Sequence, residues 1–151
     1  MSVSIDANIL VYADNVEDPV HELARGLLGR LAAGPDLLYL FWPTLLGYLR
    51  IATSSRILRS PTTPADAIAN IDGLFALPHV VVPGEQPGFW RAYIESGGAT
   101  ARGNAVPDLH LATLMRENGV RILYTRDRGF RRFDFLDVRD PFTHKINEGT
   151  R

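Results

Sequence analysis

Short runs of β-forming apolar residues alternate along the chain with segments whose apolar residues recur at helical spacing. The strand-like runs are residues 3–5, 37–41, 80–82, 121–124 and 136–138. The helical segments are residues 20–31, 43–53, 64–77, 89–96 and 107–118. Strands that are joined through helices run parallel, and the joining helices cover both faces of the sheet. The alternation therefore predicts an α/β fold with a mostly parallel central sheet flanked by helices on both faces.

The length of 151 residues suits one domain with a buried core and is too short for two comfortable ones. We assign residues 1–142 to that domain and residues 143–151 to a C-terminal tail. No apolar run approaches the roughly 20 residues that span a bilayer, and the N-terminus lacks the features of a signal peptide. We therefore expect a cytoplasmic protein without a membrane segment. The absence of cysteine excludes a thiol nucleophile and a cysteine-ligated zinc site.

Nearly all of the positive charge is arginine, because only Lys145 among the 16 basic residues is a lysine. Many of these arginines crowd the stretch from residue 102 to residue 139. Arginine suits phosphate contacts better than lysine does. The net charge is nevertheless −1, and a solvated surface explains the same pattern. The charge distribution permits RNA binding and does not establish it.

Three aspartates fall where predicted strands end or a helix begins. Asp6 ends the first strand, Asp127 closely follows the run 121–124, and Asp108 lies at the start of a helix. Ligands of open parallel sheets bind beyond the carboxyl ends of the strands, so these side chains can converge there. Packed carboxylates repel one another unless a cation neutralises them, and oxygen ligands of this kind suit Mg²⁺ or Mn²⁺. Such ions can activate a water for attack on a phosphodiester bond.

Each aspartate by itself also fits a helix N-cap, a position that aspartate favours. Capping accounts for any one of the three. It does not explain why all three fall at one edge of the predicted sheet, so a shared site is the better interpretation of the three together.

Four segments of the sequence resemble those of the VapC toxins, the PIN-domain ribonucleases of bacterial toxin–antitoxin pairs. They are residues 4–12 (SIDANILVY), 101–112 (ARGNAVPDLHLA), 124–130 (YTRDRGF) and 137–142 (DVRDPF). The likeness keeps the order of these segments and extends from residue 3 to about residue 142. It implies a single PIN-like domain that acts as a divalent-metal-dependent endoribonuclease and as the toxin of such a pair.

The same resemblance implies roles for individual residues. Asp6, Asp108 and Asp127 would be the catalytic residues and the ligands of Mg²⁺ or Mn²⁺. Asn104 and Thr125 would orient carboxylates or a water, although a turn at Asn104 and a backbone hydrogen bond from Thr125 fit as well. Arg50 in the helix 43–53 would bind substrate phosphate or a carboxylate of the partner, with a solvated helix arginine as the alternative.

Two positions depart from the family pattern. Gly47 stands where the family has a metal-binding glutamate, and glycine inside a helix is less favourable than alanine by about 1 kcal/mol. Because the sequence shows no packing gain for it, we interpret Gly47 as a lost glutamate, either natural or introduced to remove toxicity. Gly129 stands where the family often has a further acidic residue. Fewer carboxylates should weaken metal binding and impair catalysis.

The resemblance also implies three partners: a VapB-like antitoxin, an RNA substrate and a second copy of the chain. We expect an antitoxin segment to cover the acidic crevice and to present an arginine in place of the charge of the metal. The apolar helices at 23–31 and 45–51 are candidates for the antitoxin groove and for a homodimer contact, although the same residues could belong to the core.

The alternative function is a non-catalytic PIN module that binds an antitoxin or RNA without cutting it, an option that Gly47 favours. Other α/β proteins with acidic pockets fit less well. A phosphate-receiver domain needs a lysine near its acidic cluster, and a haloacid-dehalogenase phosphatase needs a second aspartate where this chain has Asn8. No Gly-x-Gly-x-x-Gly motif follows the first strand, so a dinucleotide-binding fold is unsupported.

Overall fold

The computed structural model describes residues 1–143, so the predicted tail lies outside the described residues except for Thr143. The strands are β1 (Ser2–Ile5), β2 (Leu37–Tyr39), β3 (Val80–Val81), β4 (Ile122–Tyr124) and β5 (Asp137–Arg139). The α-helices are α1 (Ala7–Asp14), α2 (His21–Ala33), α3 (Trp42–Ala52), α4 (Pro64–Phe75), α5 (Phe89–Tyr93) and α6 (Ala105–Glu117). A π-helical turn, Ile94–Gly98, continues α5, and Arg128–Arg132 form a 3-10 helix after β4.

The described strands form one sheet in the order β3-β2-β1-β4-β5, in which neighbouring strands run parallel. Ser4 is paired with Tyr39 of β2, and Ile5 is paired with Tyr124 of β4. The carboxyl ends of these three strands therefore lie along one edge of the sheet. The predicted α/β fold with a parallel sheet is confirmed.

Apolar side chains cover both faces of the sheet, which confirms the predicted helices on both sides. One core packs Val3, Ile5 and Leu38 against α1, α2, α3 and α4. The other packs Leu123 against α6 and against Phe130 of the 3-10 helix. Strands that are buried on both faces are typical of parallel sheets. Within the described residues, no helix combines the length and the apolar character that crossing a bilayer would require.

The chain reverses its direction of travel across the sheet at β1. From β1 it moves outwards through β2 and β3, and it then crosses to β4 and β5 on the other side of β1. Such a reversal opens a crevice beyond the carboxyl ends of the two adjacent strands, here β1 and β4. Asp6 directly follows β1 and Thr125 directly follows β4, so the fold places both at this crevice.

Two element boundaries near the crevice differ from the predicted ones. The strand that was expected to reach residue 41 ends at Tyr39, because Phe41 is already the extended N-cap of α3. Helix α6 begins at Ala105, two residues early, with Pro107 in its first turn, where the missing N–H of proline costs no helical hydrogen bond. Asp108 consequently lies inside the first turn of α6 rather than at its N-cap.

Candidate active site

Asp6 is held at the junction of β1 and α1. It is the N-cap of α1, and its Oδ1 accepts a hydrogen bond from the N–H of Ala7 at 2.7 Å. Its own N–H donates to the carbonyl of Tyr124 at 3.1 Å, which extends the pairing of β1 with β4 by one residue. Backbone and side chain are therefore both fixed at the reversal point of the sheet.

Thr125 connects Asp6 with Asp127. The Thr125 side chain is 2% exposed. Its Oγ1 donates to Oδ2 of Asp6 at 3.0 Å and accepts the N–H of Asp127 at 2.9 Å. Asp127 is the N-cap of the 3-10 helix, where its Oδ1 accepts the N–H of Gly129 at 2.8 Å. One buried hydroxyl thus positions two of the three aspartates, each of which also caps a helix.

Asp108 reaches the same crevice from α6. Its side chain is 27% exposed, and its Oδ2 lies 3.5 Å from Nη2 of Arg132 in the 3-10 helix. Asp108 lies in the first turn of α6, where the helix dipole stabilises acidic residues.

The three aspartates line one cleft of about 320 Å³, which lies among α1, α3 and α6. Of the other residues singled out in the sequence, Gly47, Arg50 and Asn104 line the same cleft. Its remaining walls come from Ala7, Asn8, Pro43, Thr44, Ile51, Pro107, Leu111 and Phe130. The fold therefore brings together residues from positions 6 to 127 of the chain, with Thr125 buried in contact with Asp6.

The carboxylates of the cleft act on one another electrostatically. Burial raises the pKa of Asp6 above its ordinary value, hydrogen bonds from Thr125 and Ala7 oppose this rise, and the charges of Asp108 and Asp127 add to it. Burial also raises the pKa of Asp108, followed by the charge of Asp127, whereas Arg132 opposes the rise. Ionised carboxylates in this cleft therefore carry a free-energy penalty that a nearby cation would relieve.

The cleft suits a hydrated divalent ion better than an ion caged directly by protein. Across residues 1–143, no three side chains of aspartate, glutamate or histidine are grouped so that they could hold one metal ion between them. Mg²⁺ usually keeps several waters and is bound directly through one or two carboxylates. An open cleft with carboxylates on its walls has both the oxygen ligands and the space for such an ion, so the residues present fit the expected cofactor.

Gly47 has a packing role that the sequence did not reveal. A Cβ atom added at Gly47 would lie 3.2 Å from the Cβ of Ala7, which is shorter than an ordinary carbon–carbon contact. The glycine therefore allows α3 to approach α1 closely. No such packing gain is visible in the sequence, because the contact depends on how the two helices meet.

Arg132 was not singled out in the sequence, where it is one of many arginines. Besides its contact with Asp108, its Nη1 donates to the carbonyl of Gly129 at 2.8 Å, and its guanidinium lies 4.5 Å from the centre of the Phe133 ring. The signal that could have found it is its place five residues after Asp127, in the short helix that the aspartate caps. Its partner Asp108, however, is distant in sequence.

The two apolar helices considered for partner binding divide between core and surface. In α3, Leu45 is buried whereas Leu46 is 58% exposed. In α2, Leu27 is buried whereas Leu28 lines a second cavity, of about 430 Å³, together with residues of α1, α3 and α4. In each of these two helices, some apolar residues therefore belong to the core and others remain accessible to a partner.

The sequence is similar along nearly its whole length to curated bacterial ribonucleases. It is 42% identical over 144 residues to Ribonuclease VapC48 of Mycobacterium tuberculosis, a match that covers 95% of this chain and 99% of that protein. It is 39% identical over 140 residues to Ribonuclease VapC43 of the same species, with 91% of this chain and 93% of that protein covered. No family model matches the chain.

Solved structures share the fold at lower sequence identity. The crystal structure of VapC20 from Mycobacterium tuberculosis, described as a sarcin–ricin loop cleaving toxin, matches with a TM-score of 0.65 at 19% identity, covering 91% of this chain and 98% of that chain. VapBC-1 from nontypeable Haemophilus influenzae matches with a TM-score of 0.65 at 17% identity, covering 95% of this chain and 100% of that chain. At this level of identity the likeness concerns the fold.

Proposed function

Since this chain belongs to the VapC family of toxin ribonucleases, we propose that its acidic cleft is a metal-dependent endoribonuclease site that hydrolyses phosphodiester bonds of RNA. The observation that carries the proposal is the convergence of Asp6, Asp108 and Asp127 on one cleft, where burial and, after it, the charges of neighbouring aspartates raise the pKa of Asp6 and of Asp108. A cleft of this kind attracts a divalent cation and, through it, the phosphate of a nucleic acid.

The residues of the chain would divide the work as follows. Asp6, Asp108 and Asp127 would hold the ion through their carboxylate oxygens, directly or through its waters. Thr125 would keep Asp6 and Asp127 in fixed positions through its two hydrogen bonds. A bound Mg²⁺ or Mn²⁺ supplies positive charge against the phosphate and lowers the pKa of an attacking water.

Arg50 and Asn104 lie on the walls of the same cleft, where they can meet the substrate. The guanidinium of Arg50 carries five N–H donors, which suit the oxygens of a backbone phosphate. Asn104 precedes α6 and offers an amide that can donate to a phosphate oxygen or orient a water. We assign substrate binding to Arg50 and an orienting role to Asn104.

The test is cleavage of a panel of structured RNAs by the purified protein, with Mn²⁺ and with a chelator, beside an Asp108→Asn variant. Because Gly47 leaves the cleft with fewer carboxylates than the family pattern, we expect weak cleavage that needs the metal and is lost in the variant. Cleavage that persists in the chelator, or at full rate in the variant, would remove the acidic cleft from the reaction.

An antitoxin is the expected partner of a VapC-type toxin. Structural neighbours include VapBC2 from Rickettsia felis bound to a DNA fragment from its promoter, which supports such a partner. The carboxylates of the acidic cleft would pair with an arginine of the antitoxin, and apolar residues in the cavity among α1, α2, α3 and α4, such as Leu28 and Leu74, would contact its apolar side chains. We propose that the antitoxin binds to these two surfaces. We also propose that the toxin and its antitoxin act in the cytoplasm, where the RNA substrate is found.

A homodimer remains a prediction. Trp42, Leu46 and Phe75 form an exposed apolar cluster on α3 and α4, in which the Trp42 and Phe75 rings pack edge to face at 6.2 Å. Exposed apolar clusters of this kind often mark protein contacts. Light scattering at micromolar concentration distinguishes a dimer from a monomer.

A non-catalytic PIN module that only binds RNA or an antitoxin is the second candidate. Gly47 favours it, because the cleft has a glycine where the family has a carboxylate. A protein that binds Mn²⁺ but leaves every RNA of the panel intact would make this the better description.

A further inference from the structure

The guanidinium of Arg132 is fixed beside the acidic cleft by three contacts. Its Nη1 donates to the carbonyl of Gly129 at 2.8 Å, its Nη2 lies 3.5 Å from Oδ2 of Asp108, and its Cζ lies 4.5 Å from the centre of the Phe133 ring. The side chain remains 43% exposed. The guanidinium is thus oriented by its neighbours, and its solvent-exposed side leaves room for it to move outwards.

Gly129 makes room for this arrangement. A Cβ atom added at Gly129 would lie 3.2 Å from Nη1 of Arg132 and 3.0 Å from Oδ1 of Asp127. Any side chain at position 129 would therefore crowd both the arginine and the aspartate. Gly129 therefore leaves the space that the Arg132 guanidinium and the Asp127 carboxylate occupy.

Arg132 supplies at Asp108 the kind of charge that a metal would supply. Burial and the like charge of Asp127 both raise the pKa of Asp108, and the Arg132 guanidinium opposes this rise. An ion pair with a partly exposed arginine is weak, because solvent screens it and the side chain loses freedom. A divalent cation in the cleft would compete for the same carboxylate oxygens, and its positive charge would repel the guanidinium.

We propose that Arg132 is a resident counter-charge of Asp108 that competes with the divalent metal, so that metal binding requires the guanidinium to leave the carboxylate. This inference rests on the proposed metal-dependent function and adds a determinant of metal affinity to it. In the metal-free protein Arg132 steadies the acidic cleft, and in the metal-loaded protein that contact is given up. The apparent affinity for metal is lowered accordingly.

The test is a calorimetric titration of the whole chain with Mn²⁺, using the parent protein, Arg132→Gln and the charge-matched control Arg131→Gln. Gln is neutral, so the competitor at Asp108 is removed, whereas Arg131 is the exposed neighbour in the same 3-10 helix. We expect Arg132→Gln to bind Mn²⁺ roughly three- to tenfold more tightly than the parent, the range that corresponds to a weak ion pair. Arg131→Gln should stay within about twofold of the parent, because the guanidinium that pairs with Asp108 and opposes the rise of its pKa is that of Arg132.

Thermal unfolding gives a second readout that does not depend on activity. In chelator, Arg132→Gln should melt below the parent, and Mn²⁺ should raise its melting temperature by more than it raises that of the parent. If Arg132→Gln does not fold, Arg132→Met serves instead, because methionine is also neutral and keeps an unbranched side chain near the Phe133 ring. The Arg132→Met variant should also bind Mn²⁺ more tightly than the parent.

Three results would overturn the inference while leaving the proposed function intact. Arg132→Gln could bind Mn²⁺ as tightly as the parent, it could bind Mn²⁺ more weakly, or Arg131→Gln could gain as much Mn²⁺ affinity as Arg132→Gln. Mn²⁺ binding by none of the proteins would overturn the metal-dependent function and this inference together. The two failures are therefore distinguishable.

Discussion

Gly47 in α3 faces Ala7 in α1 so closely that a Cβ atom on the glycine would lie 3.2 Å from the Cβ of the alanine. Ala7 directly follows Asp6, and both Gly47 and Ala7 line the acidic cleft. A substitution at Gly47 would therefore change both the packing of α3 against α1 and the side chains that line the cleft.

Replacing Gly47 with glutamate should strengthen metal binding and raise RNA cleavage. The substitution adds a carboxylate to the wall of the cleft, and we expect roughly a tenfold or larger gain in Mn²⁺ affinity together with faster cutting. The free energy of unfolding should change by no more than about 1 kcal/mol, because the gain in helix propensity offsets the crowding of Ala7. Calorimetry, an RNA cleavage assay and urea denaturation measure the three quantities.

Gly47→Gln is the matched control, since glutamine has nearly the shape of glutamate and no charge. It should show the same change in stability and no gain in metal affinity. A Gly47→Glu/Asp6→Asn double variant should lose the cleavage again. If the parent already cuts as fast as Gly47→Glu, Gly47 is not a lost ligand.

Replacing Thr125 with valine should lower both stability and metal affinity. Valine has the shape of threonine but leaves the N–H of Asp127 and Oδ2 of Asp6 without the hydroxyl that contacts them. Removing one partner of buried polar groups costs about 1–3 kcal/mol in the free energy of unfolding. Urea denaturation in chelator measures the loss, and Thr125→Ser, which keeps the hydroxyl, should lie much closer to the parent. A valine variant as stable as the parent would show that the hydroxyl does not hold the two aspartates.

The sheet and most helices could be predicted from the sequence, because apolar periodicity and prolines mark them locally. Pro64 begins α4 as expected, and α6 ends before Gly119, whose φ of 67° suits glycine. The position of Phe41 could not be predicted, since apolar residues are disfavoured at N-caps and a buried phenylalanine fits the end of a strand better. The boundary there is decided by tertiary packing.

The acidic cleft was predictable to the extent that strand ends and family motifs reveal it. Asp6 and Asp127 follow adjacent strands, so the topology alone brings them together. The contact of Gly47 with Ala7 and the contact of Arg132 with Asp108 depend on how helices pack, and no local pattern encodes them.

The raised pKa of Asp6 predicts that the stability of the metal-free protein decreases as the pH rises. The folded-state pKa lies above the ordinary value of 3.8, so the stability associated with the protonated carboxyl is fully present below that value and is lost as the pH rises through the folded pKa. Asp6→Asn cannot ionise and should lack this loss. In chelator, the free energy of unfolding of Asp6→Asn should therefore increase relative to that of the parent as the pH rises from about 3 towards 7.

Urea denaturation of both proteins at a series of pH values measures this difference. Mn²⁺ at neutral pH should stabilise the parent and leave Asp6→Asn less affected. A difference between the two proteins that does not vary with pH would contradict the assignment of the penalty to Asp6.

Replacing Arg50 with glutamine should weaken RNA binding without affecting the fold. Arg50 is exposed and lines the cleft, so its loss removes a phosphate contact and no core packing. The slope of log affinity against log salt concentration should fall by about 0.7, the value for one contact to single-stranded nucleic acid. Fluorescence anisotropy with labelled RNA in chelator measures it. Arg30→Gln on α2, which lines a different cavity, should keep the parent slope, and an equal fall there would indicate a general charge effect.

The position of a bound ion tests the central claim most directly. Crystals of the protein soaked in Mn²⁺ and measured at the manganese absorption edge would locate the metal independently of any activity. We predict an anomalous difference peak in the cleft, within about 2.5 Å of a carboxylate oxygen of Asp6, Asp108 or Asp127 and near enough to the others for water-mediated contact. A fully occupied peak elsewhere on the protein, with none in this cleft at saturating Mn²⁺, would contradict the account.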